Sequence, residues 1–156
     1  FALLKIKIIS IGNKSDKVVN TLINDYAKKI GGIFQLEWIQ LKSERKFDSA
    51  DKKKKLEAEK IKLHIGSSYI IALDEHGEML TSKEFALKIS QWSQHYSCIT
   101  FIIGGADGLD QSILKLANFI ISFSSMTLPH QLVKIFIAEQ LYRASSILSN
   151  HPYHRE

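Results

Sequence analysis

Phe119-Ile-Ile-Ser-Phe-Ser-Ser-Met-Thr-Leu-Pro-His130 is the stretch that decides the fold. Its first five residues, Phe119–Phe123, are an apolar run that reads as a strand. Hydroxyls, a proline and a histidine follow at once, and then an apolar helix over about Gln131–Leu148. An α/β protein places its binding loops there, outside the carboxyl end of a strand. Pro129 has a fixed φ and no N–H, which suits a helix start. The helix carries Val133, Phe136, Ile137, Leu141, Ala144, Ile147 and Leu148 on one wide stripe, while Ile135 and Tyr142 point roughly the other way. A surface helix needs one apolar face. The second is explained equally by a partner subunit or by burial within the same domain.

The chain before this stretch repeats the same pattern. Leu4-Lys-Ile-Lys-Ile-Ile9 alternates apolar and basic residues and reads as a first strand. Ser15 and Asp16 are candidate caps for a helix to about Ile30, with Val19, Leu22, Ile23 and Tyr26 inward and Gly31-Gly32 ending it. Ile33–Leu41 reads as a second strand with Phe34, Leu36 and Trp38 on one face. A helix over about Ser49–Ile65 has Leu56, Ile61 and Leu63 available for packing. Tyr69–Leu73 is a third strand, and Asp74-Glu-His-Gly77 reads as the turn that ends it. Thr81-Ser-Lys-Glu84 has the form of a capping box for a helix to about His95. Cys98–Ile103 is almost continuously apolar, as a central strand covered on both faces should be. Asp110 is placed to cap a short helix, Gln111–Asn118. Five alternations of strand and helix predict an α/β domain, a mainly parallel sheet with helices on both faces. At this length one domain spans residues 1–156.

Composition narrows the function classes. A hydrophobic content of 45% supports a real core, yet no apolar run approaches the roughly 20 residues a membrane span requires. Leu3–Ile11 is interrupted by Lys5 and Lys7 and does not read as a secretory signal. The single cysteine, Cys98, lies in a strand-like run and reads as a buried thiol. A cytoplasmic protein without a membrane partner is expected. The net charge of +5 favours an anionic partner without naming one. Lys42–Lys55 is the most charged stretch, with Lys42, Arg45, Lys46 and the run Lys52-Lys-Lys-Lys55. It reads either as a solvated loop and first helical turn or as a phosphate-contacting patch.

Three loops follow three consecutive strands: Leu73–Gly77, Gly104–Leu109 and Ser124–Pro129. In a parallel sheet they share one edge. Gly104 and Gly105 would let backbone approach a ligand, or simply serve a turn; the hydroxyls could face a ligand or cap a helix. Gly104-Gly-Ala-Asp-Gly108 is not the dinucleotide fingerprint and follows a late strand, and no P-loop lysine motif is present. His151 and His154 flank Pro152 with no second cysteine or acidic pair to complete a site, so no metal is expected. No Gly-x-Ser-x-Gly elbow supports a serine nucleophile. The tail His151-Pro-Tyr-His-Arg-Glu156 is either a frayed end or a set of side chains suited to stacking on bases and contacting phosphates. Arg143 could simply pair with Glu139 at i,i+4 spacing.

Ser124-Ser-Met-Thr-Leu-Pro-His130, Glu139-Gln-Leu-Tyr-Arg143 and Asn150-His-Pro-Tyr-His-Arg155 together resemble the bacterial large-subunit ribosomal RNA methyltransferase H family, of the SPOUT class. Leu73-Asp74 and Ile103-Gly-Gly-Ala-Asp-Gly-Leu109 match as well, so the resemblance spans nearly the whole chain. It implies a C-terminal trefoil knot, a homodimer, and methyl transfer from S-adenosylmethionine to N3 of a pseudouridine in 23S rRNA of the assembled ribosome. It further implies a cofactor site formed by Leu73, Gly104, Gly105, Ser124, Ser125, Met126, Thr127, Leu128 and Pro129. Tyr153, His154, Arg155 and Arg143 would then belong to the catalytic centre.

Overall fold

The computed structural model describes residues 3–12, 16–43 and 49–155. Its elements alternate: β1 Leu4–Ile11, α1 Lys17–Lys29, β2 Phe34–Leu41, α2 Ala50–Lys62, β3 Tyr69–Met79, α3 Ser82–Ser93, β4 Cys98–Ile103, α4 Gln111–Leu116, β5 Phe119–Ser122 and α5 His130–Leu148. All strand pairs are parallel and the sheet order is β2-β1-β4-β3-β5. The α/β fold expected from the alternation is therefore the one observed.

Strand periodicity assigns the two faces. Leu4, Ile6 and Ile8 of β1, Ile71 of β3, and Ile99, Phe101 and Ile103 of β4 pack in one core cluster with Phe85 and Ile89 of α3 and Ile137, Leu141 and Ala144 of α5. The opposite face gathers Ile9, Ile11, Ile70, Ala72 and Ile102 with Ala58 and Ile61 of α2 and Ile113 of α4. Both sides of β4 are thus covered, which its apolar run required. Each fully buried isoleucine of this kind contributes on the order of 1.5–3 kcal/mol. Lys5 and Lys7 sit where β1 still faces polar surroundings: Lys5 pairs with Glu37 at 2.9 Å and Lys7 donates to the His64 carbonyl at 2.6 Å.

The helix starts follow their caps. Asp16 accepts from the Val18 amide at 2.8 Å, Ser49 from Lys52 at 3.2 Å, Thr81 from Glu84 at 3.1 Å and Asp110 from Ser112 at 3.0 Å. Ser15, the other candidate for the first cap, lies outside the described residues, as do Arg45 and Lys46.

Several expectations need correction. Gly31-Gly32 follows α1, but neither glycine takes a positive φ; the helix stops because Ile30 becomes extended, at φ −66 and ψ 124. On α1 only Ile23 is buried, and Leu22 is exposed. On α2 the packing residues are Glu57, Ala58 and Ile61, whereas Leu63 is 83% exposed, just past the helix end. Asp74–Gly77 is not a terminating turn: β3 continues to Met79 through an irregularity in which both Leu73 and Glu78 face Ile121. Gly77 permits that bulge, because a Cβ there would lie 2.7 Å from the Ile120 and Ile121 backbone. The buried face of α5 includes Lys134, Ser145 and Ser146, while Phe136 is exposed. Tyr142 on the second apolar face is partly covered by its own chain, between Tyr26 at 6.2 Å and Tyr153 at 4.4 Å.

Candidate functional site

The three loops at the carboxyl edge of the sheet enclose one cavity of about 800 Å³. β3 supplies Leu73–His76, β4 supplies Ile103 and the loop to Leu109, and β5 supplies Ile121–Phe123 and the loop to Pro129. Of the nine candidate cofactor residues, Leu73, Gly104, Gly105, Ser124, Met126, Thr127, Leu128 and Pro129 line it, and Ser125 does not. The size lies within the range typical of small-molecule sites. Apolar Leu73 and Leu128 share the wall with exposed backbone, a mixed lining suited to a ligand with both apolar and polar parts.

The glycines act mainly on the chain itself. A Cβ at Gly104 would come within 2.8 Å of the Gly108 backbone, and one at Gly105 within 3.3 Å of the Ile11 side chain. Gly108 closes the loop at φ +81, donating its amide to the Gly105 carbonyl at 3.1 Å. The close approach that these residues allow is thus intramolecular, and it shapes the wall of the cavity. The hydroxyls likewise build the loop rather than cap α5. Ser122 Oγ donates to the Ser124 carbonyl at 2.8 Å, and Ser124 Oγ accepts from the Met126 amide at 2.9 Å. Pro129 occupies the cap position of α5 with no side-chain cap bond.

Several lining residues escaped the sequence reading. His130 borders the cavity, and burial, with the charge of Lys134 as a lesser cause, lowers its pKa below the ordinary value. At neutral pH it is therefore an uncharged imidazole, able to accept a proton. The histidine after Pro129 was visible in the motif; its placement in the cavity follows from α5 starting one residue earlier than expected. Lys54, outside the three loops, also contributes to the wall, as do Asp74, His76 and Asp107 within the loops already singled out. Asp74 accepts from both the His76 amide, at 2.9 Å, and its ring Nδ1, at 3.1 Å, which fixes the bulged segment of β3.

Arg143, Tyr153 and His154 meet elsewhere. After α5, Asn150 takes φ 58, its amide bonds to the Ile147 carbonyl at 3.3 Å, and the His151 amide to the Ser146 carbonyl at 2.8 Å. These paired bonds turn the chain back along its own helix. The Tyr153 hydroxyl then donates to Glu139 Oε1 at 3.1 Å, and Arg143 grips the same oxygen through Nε at 2.9 Å and Nη2 at 2.6 Å. The Arg143 guanidinium also lies 4.8 Å over the Tyr153 ring. Its pKa is raised, chiefly by the hydrogen bond to Glu139. That of Tyr153 is raised by burial and then by the same carboxylate. Arg143 Nη1 is 3.1 Å from His154 Nδ1. A guanidinium can only donate, so Nδ1 is the acceptor in this contact. Arg155 is exposed.

This cluster does not line the cavity of its own chain. Arg143 stands about 20 Å further along α5 than His130, at the helical rise per residue. The structure thus brings the cofactor candidates together and brings Arg143, Tyr153 and His154 together, but as two separate groups.

Among the described residues no cluster of three His, Cys, Asp or Glu side chains is placed to hold a metal ion, and no helix is long and apolar enough to cross a membrane.

Comparison with known proteins places the chain in a family. The family described as Predicted SPOUT methyltransferase matches residues 4–154. A protein named Ribosomal RNA large subunit methyltransferase H from Acholeplasma laidlawii is 44% identical over 154 residues, covering 97% of this chain and all of that one. Its namesake from Legionella pneumophila (strain Paris) is 42% identical, covering 98% of this chain and all of that one. Among solved structures, a probable methyltransferase from Bordetella pertussis Tohama I has a TM-score of 0.56 at 13% identity, covering 91% of this chain and 96% of that one. A probable methylase family protein from Haemophilus influenzae Rd KW20 has a TM-score of 0.55 at 14% identity, covering 97% of this chain and 70% of that one. At such identities the two structures share the fold alone, whereas the family match runs almost from end to end. The chain belongs to the SPOUT methyltransferase family and is a methyltransferase.

Proposed function

We propose that this chain methylates N3 of a pseudouridine in 23S rRNA of the assembled ribosome, using S-adenosylmethionine. The observation that carries the reading is the convergence of three loops, from the ends of β3, β4 and β5, on one cavity of about 800 Å³. The curated relatives are named for the ribosomal RNA large subunit, which supports rRNA as the substrate class. We take the whole of residues 1–156 as one domain, with its β5–α5 segment forming a trefoil knot, and the working form as a homodimer in the cytoplasm.

The cavity fits the cofactor. Leu73, Met126 and Leu128 offer apolar contact, and the backbone of Gly104, Gly105, Ser124 and residues 126–129 offers polar groups, while Ser125 lies outside the lining. When bound, S-adenosylmethionine supplies an electrophilic methyl carbon. The protein's task is to hold the acceptor nitrogen in line with it, and positioning of that kind supplies much of the rate. N3 must also lose its proton. His154, or water held by it, is one candidate base; to act, it must leave the contact in which its Nδ1 accepts from Arg143. His130, uncharged and at the cavity wall, is the other. Arg143 and Arg155 are suited to stabilise negative charge developing on the uracil-like ring, and Tyr153 orients Arg143 through the shared carboxylate of Glu139.

A second copy of the chain reconciles the two groups. The tail cluster lies too far along α5 to serve its own cavity, so we assign it to the cavity of a partner. Exposed Val18 and Leu22, one turn apart on α1, leave apolar surface beside α5 for such a contact. The test is nucleoside analysis of large-subunit rRNA from a strain lacking the protein, followed by treatment of its ribosomes with protein and labelled S-adenosylmethionine. Loss and restoration of an N3-methylated pseudouridine is expected. Restored label at any other nucleoside overturns the substrate.

A further inference from the structure

The lysine run Lys52–Lys55 has no part in the chemistry above, yet its placement is specific. It fills the third to sixth positions of α2, which begins at Ala50 behind its Ser49 cap. Helix N-termini carry partial positive charge and favour anions there. Lys52 and Lys55, one turn apart, also repel each other. Neither feature helps α2 fold: its packing is done by Glu57, Ala58 and Ile61 on the inner side. The run is held at the mouth of the cavity. Lys54 lines the cavity, and Lys53 Nζ pairs with Asp107 Oδ2 at 3.0 Å, on the loop after β4. Lys54 and Lys55 also stand near Asp110. The Asp110 carboxyl is held low first by its hydrogen bond from Ser112 and further by these two lysines, against the opposing effect of burial. Lys52 and Lys55 turn outward and are exposed.

We infer that the exposed side of the first two turns of α2, carrying Lys52 and Lys55, is the surface on which the phosphate backbone of the substrate RNA docks, with the Lys53–Asp107 pair fixing it beside the cavity. This rests on the proposed RNA substrate. A polyanion neutralises the mutual repulsion of the lysines and is favoured by the helix end, and clustered cations on one face release counterions when it binds. Lysine suits a contact with phosphates, which needs charge rather than sequence readout. Docking here would leave the target nucleotide next to the cavity mouth, since Lys53 and Lys54 connect the surface to the wall.

The test compares Lys52→Gln/Lys55→Gln with an equal loss of charge elsewhere, Lys28→Gln/Lys83→Gln, both measured as methyl transfer to ribosomes from a deletion strain and as ribosome binding across salt concentrations. The α2 double variant should raise the KM for ribosomes about tenfold and flatten the slope of log affinity against log salt by about 1.4–1.8, two phosphate contacts' worth. Its kcat and its affinity for S-adenosylmethionine should match wild type, and the other double variant should change the slope by less than half as much. An unchanged KM and slope, or equal changes in both variants, overturns the docking surface. A wild type that binds ribosomes through these lysines but methylates nothing would instead overturn the proposed reaction and leave the surface standing. A wild type with no salt-dependent binding of ribosomes overturns the surface outright.

Discussion

The cavity and the tail are built in opposite ways. The cavity is assembled from the ends of three strands, and its walls are set by close backbone contacts such as that of Gly104 with Gly108. The tail is a single segment folded back on one helix and held mainly by side chains, Tyr153 on Glu139 and His154 on the Arg143 that Glu139 anchors. Strand ends fixed by the sheet give a site that exists before any ligand arrives. Side-chain contacts that are part-buried give a group that can be released and rebuilt. A site that binds tightly in one chain and acts only when a second chain supplies the tail would need both kinds of construction.

The sharpest way to separate the two regions is to remove the tail. Truncation after Pro152 takes away Tyr153, His154 and Arg155 while leaving every core strand and helix. Transfer to ribosomes should fall at least about a hundredfold, the scale of losing a positioned acid–base group. Calorimetric affinity for S-adenosylmethionine should be unchanged; if it falls in parallel, the two regions are one site.

The reverse experiment damages the cavity. Gly104→Ala places a Cβ 2.8 Å from the Gly108 backbone. Overpacking of this kind costs about 1–3 kcal/mol of stability; where the displaced cavity wall carries that cost into binding, affinity for S-adenosylmethionine should drop about 5- to 150-fold. The Tyr153–Glu139 contact should survive, as an unchanged tyrosine fluorescence would report. Gly105→Ala meets the Ile11 side chain at 3.3 Å, where a neighbour can yield, and should do less.

Glu139→Gln loosens the tail without shortening it. It weakens the grip on Arg143 and Tyr153 together, and should cost about 1 kcal/mol of stability, read from denaturant melts, because the pair is only partly buried. Transfer should fall by about tenfold with cofactor affinity unchanged. A smaller effect still comes from His130. Burial lowers its pKa, so below its ordinary value near 6.5 the unfolded chain takes up a proton that the folded chain resists. Stability should decline as pH falls through that value and level off once the folded state is protonated too. His130→Gln should remove this component from the pH profile, and a profile identical to wild type would mean that the imidazole titrates normally.

Much of this was legible in the residues. The strand periods of β1, β3 and β4 and the caps at Asp16, Thr81 and Asp110 act within a few positions of sequence, so local rules reach them. Gly77 could not be read in that way, because its reason is the backbone of β5, more than forty residues away. The fold-back of the tail had a local sign in Asn150, a residue that tolerates a positive φ, but its destination at Glu139 depends on three turns of α5. The exposure of Leu63 and Phe136 was missed because helical period says which residues share a face and not how far a neighbouring element extends over it. Loop order in a parallel sheet reached only the common edge of the three loops; which residues line a site there came from the family resemblance. The separation of the tail from them is a matter of distance along α5, which no motif records.

The proposed shared site needs the tail of one copy at the cavity of another. Mixing two inactive proteins tests it: the chain truncated after Pro152, and the full chain carrying Gly104→Val, refolded together so that subunits exchange. If the site is shared, mixed dimers pair an intact cavity with an intact tail, and an equimolar mixture should recover about a quarter of wild-type transfer to ribosomes, as a random assortment of two-fold dimers gives one working site in half of them. If each tail serves its own cavity, no combination is complete, and the mixture will be as inactive as its parts.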